Sequence, residues 1–475
     1  MISKMSGWLL LVAMVGFPVV SQAQKQAEVW ITNPDKSALF QLQSPDLKFG
    51  KLAAADARAL DAVIEVDDTQ KFQTIDGFGF ALTGGSAQLL MRMDAAKRAE
   101  LLHELFTTDG NGIGVSYLRV TVGSSDLNDH VYTYDDVPEG QSDPKLDKFS
   151  LDEDKADVIP VLKQILAIDP KMKLLASPWS APAWMKTNTN AKAGKLRPEC
   201  YDAYANYLVK YIQGMKAEGI PIDAITIQNE PLNEKNTPSM LMLSEDEGAF
   251  LRDHFGPALK KAGLKTKVIL YDHNLDHPEY ATSILKDARA AKFADGSGFH
   301  LYGGKIEAMS GVHDEFPKKN LYFTEQMVVN GRDKDRMNVA RPVGGIVIGA
   351  TRNWSRNVLL WNLAADSHFG PHTSNGGCPV CQGAVTIEGD EVTRNLAYYS
   401  IAHVSKFVRP GSVRIGSYET DTLRTVAFRT PQKKVVVVVA NTGTAAQRFA
   451  IQIHGVAVTT SLNAGAVGTY VWQMP

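Results

Sequence analysis

Only three cysteines occur in this sequence, neither sign of charge is in excess, and the one long apolar run lies at the very start. Each scarcity removes a class of protein. Three cysteines cannot build a disulfide-dense scaffold. With 50 basic and 52 acidic residues the net charge is −2, and no Lys/Arg-rich run supplies a local field. Nucleic acid and anionic lipid are therefore poor partners, and a neutral substrate fits best. No "HExxH", "GxGxxG" or P-loop pattern is present, so "DGFGF" and "TGGSA" read as tight turns rather than phosphate cradles. No internal repeat is found. What remains is an ordinary globular composition, 44% apolar and 21% charged over 475 residues, long enough for a large domain and a smaller one.

The apolar run reads as an export signal. Lys4 supplies a positive start, "WLLLVAMVGFPVV" the apolar stretch, and "SQA" the small residues before a cut after Ala23. The run is too brief to span a bilayer, and Gly16 and Pro18 interrupt it. No cysteine follows to carry a lipid. The expected destination is periplasmic or secreted, with no integral membrane segment after cleavage of residues 1–23. In an oxidising compartment Cys378 and Cys381, in "GGCPVCQG", are expected to staple a Gly-rich loop. A redox role or half a zinc site are the alternatives, although no second Cys/His pair has matching spacing. Cys200, in the helix-like "CYDAYANYLVKYIQG", is expected to be buried and inert.

From about 71 to 408, β-rich runs alternate with helical patterns. The runs are "TIDGFGFAL", "VSYLRVTVG", "MKLLASPWS", "DAITIQNEP", "KVILYDHN", "GSGFHLYGG", "NLYFTEQ" and "NVLLWNLAAD". Eight strands with intervening helices predict an α/β chain with a (β/α)8 TIM barrel rather than an open sheet. Residues 409–475 change to short strands between turn residues, such as "LRTVAFRT" and "KKVVVVVANTG", a β-sandwich pattern. Residues 24–70 carry short strand candidates and are expected to join that flanking sandwich.

In such a barrel the active site lies past the C-terminal ends of the strands. Arg119, Trp179, Asn229, Glu230, Asp272, His300, Tyr302, Glu325 and Trp361 occupy those positions. Two are carboxylates ending apolar runs, Glu230 in "IQNEP" and Glu325 in "YFTEQ", at strands four and seven on opposite sides of the mouth. Two glutamates facing one another in an aromatic-lined cleft cleave an acetal: one protonates the leaving oxygen and the other attacks the anomeric carbon. Different surroundings would raise the pKa of the acid and keep the nucleophile ionised. The bland alternative, each Glu paired with its own Arg or Lys, explains one such residue better than two flanked by Trp179, Trp184, Tyr302 and Trp361. "YDHNLDH" holds Asp272, His273, Asp276 and His277, but it reads as a loop after strand five and no metal is expected there.

"IDGFGFALTGGSAQLL", "YLRVTVGSSDL", "YTYDD", "LLASPWSAPAWMK", "TIQNEP", "FHLYGG", "FTEQ", "WNLAAD" and "YYSIAHVSKFVRPGS" resemble, in order, the landmarks of glycoside hydrolase family 30, the family of lysosomal glucosylceramidase. The resemblance implies a retaining mechanism with Glu230 as acid/base and Glu325 as nucleophile. It implies that Arg119, Trp179, Asn229, His300, Tyr302 and Trp361 line the subsite of the cleaved sugar, with Asn229 on its 2-hydroxyl. It implies no metal or organic cofactor. One departure stands out: Gly84 occupies the position expected to carry a sugar-binding Asp. A carboxylate there is worth about 1.5–3 kcal/mol per charge-assisted hydrogen bond, so its loss bears on which sugar is recognised. The expected activity is a retaining β-glycosidase of glucosylceramidase type, acting on a β-linked glucoside, oligosaccharide or glycolipid. An endo-β-1,6-glucanase is the alternative, with β-fucosidase or β-xylosidase behind it and a non-catalytic carbohydrate-binding scaffold from another class.

Overall fold

The apolar runs become eight parallel strands: β1 (Gly77–Leu82), β2 (Tyr117–Val122), β3 (Lys173–Pro178), β4 (Ala224–Thr226), β5 (Lys267–Leu275), β6 (Ala294–Gly304), β7 (Asn320–Glu325) and β8 (Ser355–Leu360). Each pairs with the next and β8 pairs with β1, so the sheet closes into the expected barrel. Every residue of β1 and β2 is buried. That burial explains why these strands read as near-continuous apolar runs: helices cover one face of a parallel barrel and packed side chains fill the other. Helix starts are also written locally. The Asp94 carboxylate accepts the N–H groups of Ala96 and Lys97 ahead of helix Ala95–Phe106, and Thr83 accepts that of Ser86 ahead of Gly84–Arg92. This computed structural model describes residues 26–331 and 335–473. The expected export signal lies outside the described residues.

The second unit is a ten-stranded assembly drawn from both ends of the chain. Gln26–Thr32 pairs with Val467–Gln473, and Ala62–Thr74 pairs with Val413–Ser417 and Gln447–Ile453. Strand Lys434–Asn441 shows why "VVVVV" has no polar alternation. Val435, Val437 and Val439 face the sandwich interior, whereas Val436 and Val438 pack into the barrel's core. A strand buried on both faces has no solvent side. Between the two units, buried His403 sits between Thr32 and Thr469, its ring nitrogens 2.8 Å from each hydroxyl. Among the described residues no helix is long and apolar enough to cross a membrane.

Candidate active site

The C-terminal ends of the strands bring together a charged cluster under an open cleft. At its centre is Arg119 on β2, 1% exposed. Its Nη1 donates to Glu325 Oε2 at 2.6 Å, and its Nη2 donates to Asn229 Oδ1 and Asp272 Oδ2, each at 2.7 Å. The guanidinium lies 4.8 Å from the Trp179 ring centroid, and Trp179 stacks on Trp361 with centroids 5.4 Å apart. One charge thus orients the nucleophile candidate, the Asn that precedes Glu230, and an aspartate beneath them. The bland pairing of Glu325 with an arginine is present, but the arginine is shared and Glu325 still borders the cleft.

Asp272 is fully buried and accepts from Arg119, from Ser177, Thr226 and Thr324 hydroxyls at 3.1, 2.9 and 2.6 Å, and faces His300 Nε2 at 3.1 Å. Burial would raise its carboxyl, but Arg119 and His300 hold it far below the usual carboxylate range. The stretch around it is not the loop its polarity suggests. Strand β5 runs on through Leu275, with Tyr271 and Asp272 at φ 72° and 56°. These left-handed residues break the alternation of sides, and the register with β6 shifts there. Glu230 has φ 46°, and its N–H donates to Asp272 C=O at 3.0 Å. Non-glycine residues in this region cost about 1–3 kcal/mol each and gather at functional sites.

His300 on β6 joins the groups. Its Nε2 faces Asp272, while its Nδ1 lies 3.2 Å from Glu230 Oε1 and 3.9 Å from Glu325 Oε1. One oxygen of each glutamate and a His300 nitrogen all lie within 4.8 Å of one another. Burial pushes the imidazole down, but the Glu325 charge and its bonds to Asp272 and Glu230 bring it up to about 9. The same contact acts on both glutamates against the effect of burial. Burial would raise Glu230, yet His300, His273 and Asn233 hold it at about 2. Burial raises Glu325 against the charges of His300 and Arg119. His300 and the two glutamates thus form one charged set in which His300 Nδ1 lies a hydrogen-bond length from Glu230 Oε1.

The cleft, of about 590 Å³, is bordered by Asp126, Trp179, Asn229, Glu230, Tyr302, Glu325 and Trp361, with Cys378 and Cys381 on the rim. The Tyr302 hydroxyl donates to Glu325 Oε1 at 3.1 Å. Asn229 spends its oxygen on Arg119, which leaves its NH2 group for a ligand. Trp179 Nε1 is buried with no hydrogen-bond partner among the described residues. Two expected lining residues are placed otherwise. Arg119 and His300 lie beneath the cleft floor, because their charges are consumed by the carboxylates around them. Trp184 is also absent from the wall, its indole N–H donating to Asp135. Cys378 and Cys381 are joined, with Cα atoms 5.5 Å apart, and Cys200 is buried.

The space beside Gly84 is taken by a side chain from the loop after β2. A Cβ at Gly84 would lie 1.9 Å from Asn128 Nδ2, so Asn128 fills that space. Asp126, from the loop after β2, borders the cleft instead. Burial, then the charges of Glu325 and Glu230, push its carboxyl up to about 8. Sequence reading passed over Asp126 because "SSDL" looks like an ordinary loop. It also passed over Asn233 and Asn236, which donate to Glu230 Oε2 at 2.6 and 3.4 Å.

Two opposed glutamates under stacked indoles at the mouth of a (β/α)8 barrel define a glycoside hydrolase. Residues 75–408 match the glycosyl hydrolase family 30 TIM-barrel domain, and residues 411–470 match the family's beta sandwich domain. The chain belongs to glycoside hydrolase family 30. It is 34% identical over 403 residues to endo-1,6-beta-D-glucanase BGN16.3 of Trichoderma harzianum, covering 80% of each chain. It is 29% identical over 442 residues to lysosomal acid glucosylceramidase of Mus musculus, covering 86% of this chain and 83% of that one. The solved structure of the endo-beta1,6-glucanase BT3312 superposes with a TM-score of 0.86 at 32% identity, covering 95% of this chain and 100% of that one.

Proposed function

We propose that the chain is an endo-acting β-1,6-glucan hydrolase that retains anomeric configuration. The observation that carries the reaction is the approach of the two carboxylates: oxygens within 4.8 Å fit the carboxyl separation of about 5–5.5 Å of retaining enzymes and leave no room for the intervening water of inverting ones. Glu230 protonates the glycosidic oxygen as a Glu325 oxygen bonds to the anomeric carbon and the leaving group departs. Glu230 then takes a proton from water, which attacks the same carbon and frees Glu325. Asn229 and Asp126 take hydroxyls of the cleaved sugar, Trp179 and Trp361 its apolar face.

The glucan linkage replaces the glucosylceramide first expected. The similarity to two β-1,6-glucanases, at 34% and 32%, exceeds that to the glucosylceramidase, at 29%. The wall beyond Glu230 also carries Asn233, Glu234, Lys235 and Asn236, groups that suit a saccharide leaving group better than an acyl chain. The proposal includes export, a reading that the N-terminal apolar run and the paired cysteines support; cell fractionation that finds the chain in the cytosol would refute it. For the activity, a soluble β-1,6-glucan, glucosylceramide and a panel of aryl β-glycosides are offered to the protein and to Glu325→Gln. The expected result is chain cleavage of the glucan into oligomers, abolished in the variant while its circular dichroism spectrum at about 25 °C shows the fold retained. Preference for glucosylceramide would overturn the linkage, full turnover by Glu325→Gln the mechanism, and binding without any hydrolysis would leave a carbohydrate-binding scaffold.

A further inference from the structure

Two amides converge on one oxygen of Glu230. Asn233 Nδ2 donates to Oε2 at 2.6 Å and Asn236 Nδ2 to the same atom at 3.4 Å. The other oxygen, Oε1, faces His300 Nδ1 at 3.2 Å and His273 Nε2 at 4.0 Å. The sequence builds this arrangement itself. The Glu230 C=O accepts the Asn233 N–H at 2.8 Å, closing a four-residue turn whose second position is Pro231, a residue with φ already set for it. The turn swings the Asn233 side chain back onto the carboxylate it started from.

An oxygen that already accepts N–H groups is a poor seat for a proton, so protonation is directed to the other oxygen. Oε1 is the one turned towards His300, whose Nδ1 also lies 3.9 Å from Glu325 Oε1. It is therefore the oxygen on the side of the bond to be broken. We infer that Asn233, backed by Asn236, is the positioning residue that decides which oxygen of Glu230 carries the proton to the departing sugar. The inference rests on the reading of Glu230 as acid/base. The charged and titratable groups around Glu230 are His273 and Asp272 on β5, His300 on β6, Glu325 on β7, Asp126 after β2, Tyr302, and Glu234 and Lys235 on its own loop. Asn233 acts against all of these through a direct bond.

The test uses aryl β-glucosides and aryl β-1,6-diglucosides whose leaving groups range from dinitrophenol to phenol, with Asn233→Ala, Asn233→Asp and Glu230→Ala. A misplaced proton matters only when the leaving group needs one. In Asn233→Ala, kcat/KM should fall about tenfold or more on phenyl substrates and stay within about twofold on dinitrophenyl ones. Loss of a bond to the ionised carboxylate should also move the alkaline limb of kcat/KM up by about one pH unit. Asn233→Asp should move it further, because a carboxylate replaces the donor. Equal losses on every leaving group, or an alkaline limb that stays in place, would overturn the inference and leave Asn233 a loop residue. Failure of the underlying reading is separately visible: Glu230→Ala would then show no dependence on leaving group.

Discussion

Replacing Asp272 by Asn removes one negative charge and almost no volume from the centre of the site. Five groups point at this carboxylate: the Arg119 guanidinium at 2.7 Å, three hydroxyls between 2.6 and 3.1 Å, and His300 at 3.1 Å. An amide offers one acceptor and two donors, so at least two of these groups would meet an N–H instead of an oxygen. Arg119 would retain only Glu325 as counter-charge while staying buried. Breaking a buried charged set of this kind costs about 3–5 kcal/mol. For a barrel of about 330 residues the unfolding entropy near 60 °C is about 0.7 kcal/mol/K, so the melting temperature should fall by about 4–7 °C. Activity should fall further than stability. Glu325 would hold the whole Arg119 charge and become a poorer nucleophile, and His300, without its carboxylate partner, would no longer be anchored beside Glu230. A drop in kcat of at least about a hundredfold on an activated aryl glycoside is expected. Calorimetry and kinetics on Asp272→Asn would be read beside Asp295→Asn, whose partly exposed carboxylate binds Tyr322 and Asn320 at the opposite end of the barrel. Asp295→Asn should cost about 1 kcal/mol. If Asp272→Asn melts within a degree of the parent and keeps its kcat, the shared-charge account of the site is wrong.

Asp126→Ala should raise KM for glucosides and lower kcat/KM by about 2–12-fold, the equivalent of about 0.5–1.5 kcal/mol from one hydrogen bond to a neutral carboxyl; initial rates across a substrate series decide it, and unchanged specificity would remove Asp126 from the sugar subsite. Reduction of the Cys378–Cys381 bond, or Cys378→Ser with Cys381→Ser, should raise KM about two- to tenfold with little change in melting temperature, because the bond closes a short loop that borders the cleft. Equal kinetics in reducing and oxidising buffer would show that the staple does not shape the wall. Lys186→Met should lower stability by about 1–3 kcal/mol, since its buried amino group donates to Ser180 Oγ, Ala191 C=O and Ser239 C=O at 2.7, 3.0 and 2.7 Å, and the Ser239 C=O would lose its donor. A urea midpoint unchanged in Lys186→Met would show that the loops after β3 and β4 do not depend on it.

How much of this was legible before the coordinates depended on the range over which each signal acts. The barrel strands were legible because burial on both faces writes a continuous apolar run, and the two glutamates because each closes such a run. Arg119, Asn229, Asp272, His300 and Tyr302 were legible as strand-end positions, but their partners were not, because those are set by closure of the sheet. Arg119 meets Asp272 across 153 positions of chain and Glu325 across 206, and no local pattern encodes such a meeting. Asp272 illustrates the failure best. Its neighbours in sequence are Tyr271, His273 and Asn274, which read as a polar loop, yet two successive left-handed residues turn its carboxylate into the barrel's interior. Gly84 shows the same limit from the other side: the sequence shows the absent carboxylate, but not that Asn128 takes the space or that Asp126 borders the cleft nearby. The two carboxylates sit at strand ends that the sequence reveals, whereas much of the cleft wall comes from loops such as that of Asn233 to Asn236, whose placement it does not. That difference explains why the reaction could be read at once while the leaving group could not: Asn233, Lys235 and Asn236 follow the catalytic motif by only a few positions, yet they border the cleft only through the path of their loop.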